Sequence, residues 1–219
     1  MRDGDLRSAL SAVVARQYQE RRHVLVPEVD IVVTYPGRID ALLVADRICG
    51  FEIKSDVDSL RRLPRQVEIY GPVLERATLV VGKRHASAAA DIVPSWWAIW
   101  EARHYGGGLV FATRRRGRLN PDVDPFAVAT FIPRDVVLRR LRAQGMSGVS
   151  KRSVAELRYV LAETNSKSEV LALARSAMLA RPDWQYRATH ADLRPQDDYA
   201  LPGDGGSGRS ANCVATAVR

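Results

Sequence analysis

"RIDALLVADRICGFEIKS", residues 38–55, decides the fold. Two apolar runs of strand length flank a short polar break, and they carry Asp40, Glu52 and Lys54. An unpaired charge in an apolar interior costs several kcal/mol or is forced to neutralise. These side chains therefore face solvent, or they face one another and a cation. Side chains alternate across a strand, so Asp40, Leu42 and Val44 share one face, and Glu52 and Lys54 share a face opposite to Phe51 and Ile53. A loop centred near Asp46–Ile48 sets Asp40 across from Lys54 and Glu52 across from Leu42, gathering the charges at one end of an antiparallel hairpin. Two carboxylates about 4 Å apart repel by roughly 4 kcal/mol at an effective dielectric near 20. Lys54 relieves part of that repulsion and a divalent cation relieves more. Oxygen ligands of this kind suit Mg²⁺ or Mn²⁺, and the chemistry that follows is phosphodiester hydrolysis. The plainer alternative is an exposed cross-strand salt bridge, which is worth little.

Composition sets the frame around this hairpin. The chain has 219 residues, 46% of them hydrophobic, enough for one sizeable domain or one with an appendage. Thirty-three Lys and Arg against 25 Asp and Glu leave a formal charge of +8, which suits a partner rich in phosphate. An arginine-rich composition also arises from genome bias, so charge alone does not choose. No run of eighteen apolar residues argues for a membrane span, and the N-terminal residues lack a signal-peptide core. Cys49 and Cys213 form neither a disulfide framework nor a metal-ligand pattern. The expectation is a cytoplasmic protein with reduced thiols and no membrane partner.

Upstream of the hairpin, Leu6, Leu10, Val13 and Val14 recur at helical spacing within residues 3–20, and "HVLVPEVDIVVTY" reads as one broken strand or two short ones. Downstream, Pro64 starts a helix, "ATLVVG" reads as a parallel-type strand, and "SWWAIWEA" and "GLVFATRR" as two strands around Gly106–Gly108. Pattern and order predict an α+β fold, a mixed central sheet flanked by helices, over residues 1–132. Helices follow over 133–195, two of them with Ser caps at "SVAELRYVLAET" and "SEVLALARSAMLA", and then a tail at 196–219 without apolar periodicity. The tryptophans of "SWWAIW" are read first as core. His23, His85, His104 and His190 show no ligand spacing.

"RID" on one strand and "FEIKS" on the next resemble the PD-(D/E)XK nuclease superfamily. The Pro of that signature is absent, since Ile39 precedes Asp40. Over about residues 20–100, "RIDALLV…GFEIKSDVDSLRRLPRQVEIYGPVLERATLVVG…VPSWWAIW" also resembles a small bacterial family of predicted nucleases, and the later helical stretch fits its C-terminal half. The resemblance implies a restriction-endonuclease-like core with a helical extension. It implies metal ligation by Asp40 and Glu52, with Lys54 as the catalytic lysine and Glu28, in preference to Glu20, as a further metal ligand. Gln66 and Tyr70, four apart on one helix face, match a RecB-like pair that orients substrate. Arg61, Arg62 and Arg65, and Arg114, Arg115 and Arg116 in a loop, are weaker candidates for phosphate contact, with a solvated face as the alternative.

The function expected is a Mg²⁺- or Mn²⁺-dependent nuclease acting on nucleic acid, DNA first. The competing reading is a catalytically inactive nucleic-acid-binding or protein-interaction module on the same fold. A homodimer or protein partner would engage the helical C-terminal region.

Overall fold

The computed structural model describes residues 1–33 and 35–184. The expected tail at 196–219, the end of the helical stretch, and Cys213 with its expected thiol state lie outside the described residues. Helix α1, Asp3–Tyr18, leads into β1, Val24–Val32, then the hairpin β2, Pro36–Val44, and β3, Ile48–Lys54. A 3-10 turn at Leu60–Arg62 and helix α2, Leu63–Tyr70, connect to β4, Arg76–Val81. Helix α3, Ala86–Ile92, leads to β5, Ala98–Tyr105, and β6, Gly108–Arg115. Among the described residues, α4, Pro125–Ala129, α5, Arg134–Ala143, α6, Val154–Thr164, and α7, Lys167–Leu179, come next.

The sheet runs β1-β2-β3-β4-β5-β6 in space as in sequence. β3 pairs in parallel with β4, and β4 with β5, while the other pairs are antiparallel. This is the mixed sheet flanked by helices that the sequence predicts. One face carries α1, whose Leu6, Leu10, Val13 and Val14 pack with Leu43, Phe51, Ile53 and Trp100. The other face and the later helices share one apolar cluster, from Leu42, Leu79 and Trp97 through Leu141 and Leu161 to Val170 and Met178. Sheet and helices are thus joined by a continuous interior.

Several local expectations are corrected. Strand β1 is continuous, with Glu28 at φ +50° in its middle. The hairpin register pairs Ala41 with Phe51, Leu42 with Gly50 and Val44 with Ile48, two residues away from the expected pairing of Leu42 with Glu52. Ile48 belongs to β3 because it is fully buried and its N–H donates to Glu75 Oε2 at 2.9 Å. Helix α3 went unread because its Ala-rich sequence has no apolar period, and only Ala89 is fully buried in it. Helix α7 is capped by Ser166, whose side chain pairs reciprocally with Glu169, two residues before the expected serine. Gly50 is required where the chain closes over β3, since a Cβ there would lie 2.4 Å from Leu74 Cδ1.

Candidate active site

Glu52 and Lys54 sit two apart on β3, hence on one face, at the level of Leu79 and Val81 of β4. Both are buried, at 1% and 4% exposure. Lys54 Nζ donates to Glu52 Oε1 at 2.5 Å. Helix α2 crosses the same face, and its spacing turns Gln66 and Tyr70 together. Gln66 Nε2 donates to the same Glu52 oxygen at 2.5 Å. Glu52 Oε2 and Gln66 Oε1 are buried and have no hydrogen-bond partner. Buried acceptors without donors are rare in native proteins and call for an explanation. Tyr70 is wedged against Trp97, with ring centroids 6.5 Å apart, and its hydroxyl donates to the Arg38 carbonyl. That bond ties α2 to β2 two residues before Asp40.

Asp40 stands where β2 loses its alternation. Ile39 packs on the α2 side, whereas Ala41 packs on the α1 side. The β2–β3 pairing begins at Ala41, and Asp40 Oδ2 accepts from the Ile53 N–H at 2.8 Å. Asp40 Oδ1 accepts from Arg7 Nη2 at 2.8 Å, and Arg7 Nη1 donates to the Asp40 carbonyl at 3.0 Å. The expected placement of Asp40 across from Lys54, on the face of Leu42 and Val44, is therefore corrected. The cation beside it is an arginine from α1, held in turn by Asp3 at 2.6 Å.

Burial raises the Glu52 carboxyl to about 7, the charge of Asp40 adds to the rise, and Lys54 opposes it. Near neutral pH, Glu52 is thus divided between its two forms. Tyr70 is also raised, by burial first and by the Glu52 charge second, so it stays a phenol. Its single proton is committed to the Arg38 carbonyl.

The remaining expected residues fare differently. Glu28 is exposed and faces Arg38 at 3.8 Å. Among the described residues, no three His, Cys, Asp or Glu side chains gather as a metal-binding group, so Glu28 does not complete one with Asp40 and Glu52. Arg61 and Arg62 are exposed ahead of α2, while Arg65 lies 3.6 Å over the Tyr35 ring. The arginine loop is corrected as well, because Arg114 and Arg115 belong to β6. Arg115 donates to the carbonyls of Trp97, Ala90, Val93 and Pro94 at 2.8–3.2 Å, so it closes the end of α3 and is not free for phosphate. Arg116 remains exposed.

Sequence reading missed Arg7, Glu75 and Glu101. The signal for Glu101 was present, since "AIWEARHY" sets an acid in an apolar strand just as "GFEIKS" does. Arg7 follows the buried Leu6 and precedes the buried Leu10 by three positions, a faint sign of a half-buried cation.

Carboxylate oxygens are the donors that a hard divalent cation takes. Glu52 Oε2 is open to one, whereas Glu52 Oε1 is held by two donors and both Asp40 oxygens already accept, from Arg7 and from the Ile53 N–H.

Over 117 residues the chain is 26% identical to Protein cII of Enterobacteria phage P4, covering 53% of this chain and 44% of that protein. The chain thus spans less than half the length of this curated relative. Among solved structures it is similar to a protein of unknown function from Silicibacter pomeroyi, at 18% identity and a TM-score of 0.39. That likeness covers 66% of this chain and 92% of the other. The family model described as Bacteriophage P4 protein cII matches residues 7–194, a span from Arg7 through the whole Glu52 cluster, and the chain belongs to that family.

Proposed function

We propose that this protein is a divalent-metal-dependent nuclease of the PD-(D/E)XK type, with DNA as its first substrate. The observation that carries this reading is the pair of buried acceptors without donors, Glu52 Oε2 and Gln66 Oε1, beside Lys54. A structural ion pair would leave neither bare. Asp40 and Glu52 would hold Mg²⁺ or Mn²⁺, which when bound supplies Lewis-acid polarisation of a phosphoryl oxygen and a more acidic water. Gln66 Oε1 would accept a hydrogen bond from the attacking water and so fix its direction. Lys54 donates toward charge developing on the phosphoryl oxygen. Water attacks phosphorus and gives up a proton to solvent, the bond to the leaving oxygen breaks, and that oxygen takes up a proton from solvent. Tyr70 does not react; its bond to the Arg38 carbonyl holds β2 in place.

A second reading, a nucleic-acid-binding module without catalysis, is favoured by one observation. Arg7 already neutralises Asp40 at 2.8 Å, as Lys54 does Glu52, so the cluster balances its charge with protein cations alone. Incubation of wild type and Lys54→Ala with linear and circular DNA in Mg²⁺ or Mn²⁺ separates the two. Metal-dependent nicking by wild type, lost by at least about 100-fold in a variant of unchanged circular dichroism, supports the nuclease. No cutting of DNA or RNA, or equal cutting by the variant, removes it.

A further inference from the structure

A cleft of about 580 Å³ opens at the C-terminal ends of β4 and β5, lined by Asp56, Lys83, Glu101, Arg103, His104 and Arg114. Its floor is the third buried acid of the sheet. Glu101 is 1% exposed, yet Oε1 accepts from Arg103 Nε at 2.8 Å and Oε2 from Arg114 Nε at 2.6 Å. The two arginine side chains are each about half exposed, at 49% and 50%. The buried carboxylate thus grips both guanidiniums from beneath. Both terminal nitrogens of Arg103 and Nη1 of Arg114 have no partner among the described residues. Held this way, the arginines lose little freedom on binding, and their planar forks match phosphate oxygens. Lys83 is exposed and has no side-chain hydrogen bond or ion pair among the described residues, while Asp56 is occupied by the Arg84 backbone N–H at 3.3 Å and approaches Gly82. A Cβ on Gly82 would lie 2.1 Å from Asp56 Oδ1, so glycine there lets Asp56 fold against the β4 end. The outward-facing charge of the cleft is positive.

The sheet fixes where this cleft lies. Lys54 is level with Val81, and Val81 with Glu101, so Glu101 stands two strands from Lys54. At ~4.8 Å per strand that is about 10 Å, roughly three charges of one DNA strand at its ~3.4 Å axial spacing.

We infer that the cleft is a phosphate-binding subsite for the backbone of a nucleic-acid strand, with Arg103, Arg114 and Lys83 contacting phosphates that flank the one at Lys54. The inference rests on the nuclease reading only for what happens at Lys54. The contacts are to phosphate, so the subsite grips without reading sequence.

Fluorescence anisotropy of the full chain with a labelled single-stranded 20-mer and its duplex, in EDTA from 50 to 200 mM salt, tests it. Lys83→Ala, Arg103→Ala and Arg114→Ala each weaken binding by about five- to tenfold. Each also lowers the slope of log affinity against log salt by about 0.7–0.9. Lys83 is exposed with no partner among the described residues to lose, and either arginine alone leaves Glu101 paired, so folding is preserved in at least one variant. Wild type that does not bind, or three folded variants with wild-type affinity and slope, overturns the inference. Equal competition by a mononucleotide and by the 20-mer, mole for mole, also overturns it and identifies a free-nucleotide site. Cleft-dependent binding by a protein that never cuts leaves the subsite standing and removes the nuclease reading. Cutting with unaltered binding in the variants does the reverse.

Discussion

Glu52 and Glu75 are both acids buried at the sheet, and their surroundings differ in one respect. Glu75 is fully answered. Arg175 Nη1 lies 2.8 Å from each of its oxygens, the Ile48 N–H reaches Oε2 at 2.9 Å, and Arg47 stands at 3.6 Å. Glu52 has two donors crowded on one oxygen and none on the other. Equal burial therefore has opposite meanings. Glu75 fastens α7 to the start of β4, across 100 residues of chain. Glu52 is held in position with half of its bonding capacity open, unlike Glu75, both of whose oxygens are taken.

The largest test of this contrast is Glu75→Ala. It strands Arg175 and the Ile48 N–H, so urea denaturation should show a loss of about 3–5 kcal/mol. A smaller loss than that from Glu52→Ala would invert the comparison.

Next comes Glu52→Gln, read against pH. The folded carboxyl lies near 7, above its ordinary 4.5. The folded state thus holds the proton more tightly than the unfolded chain. Stability from this group is complete below pH 4.5 and is lost as pH rises through 7, in total on the order of 3 kcal/mol. Glu52→Gln should erase that decline and match or exceed wild-type stability at pH 8, in urea titrations across pH 4–8. A decline that persists in the variant would mean that another group carries it.

The smallest effect belongs to Arg7→Ala. A partly exposed guanidinium with three hydrogen bonds to Asp3 and Asp40 should cost about 1–2 kcal/mol on removal. The same variant frees Asp40, so Mn²⁺ should raise its melting temperature more than that of wild type. An equal shift in both would mean that Arg7 does not compete with a cation at Asp40.

What was legible in the sequence follows from range. Alternation within β3 set Glu52 and Lys54 on one face, and the four-residue spacing in α2 brought Gln66 beside Tyr70, because both depend on neighbours a few residues apart. The hairpin register missed by two because Ile48 is drawn into β3 by Glu75, 27 residues on. The expected cations beside Asp40 were Lys54 and a divalent metal; the one found there, Arg7, stands 33 residues earlier on a helix, and nothing local ties the two. Arg115 looked like its neighbours in "RRRGR", and only the fold shows four carbonyls converging on it. Arg114 looked like a loop charge, and only the buried Glu101 shows what fixes it.

The order β1-β2-β3-β4-β5-β6 also bears on how the chain reaches this state. Every strand pairs with its neighbours in sequence, so each can add to an edge already formed as synthesis proceeds, with hairpin loops or single helical crossovers to close. Glu52 and Lys54 take their places on that growing sheet before Arg175 exists to engage Glu75. Assembly of the Glu52 cluster should accordingly precede docking of the last helix, and interruption of synthesis after β6 would leave the cluster built but the interior beneath α7 uncovered.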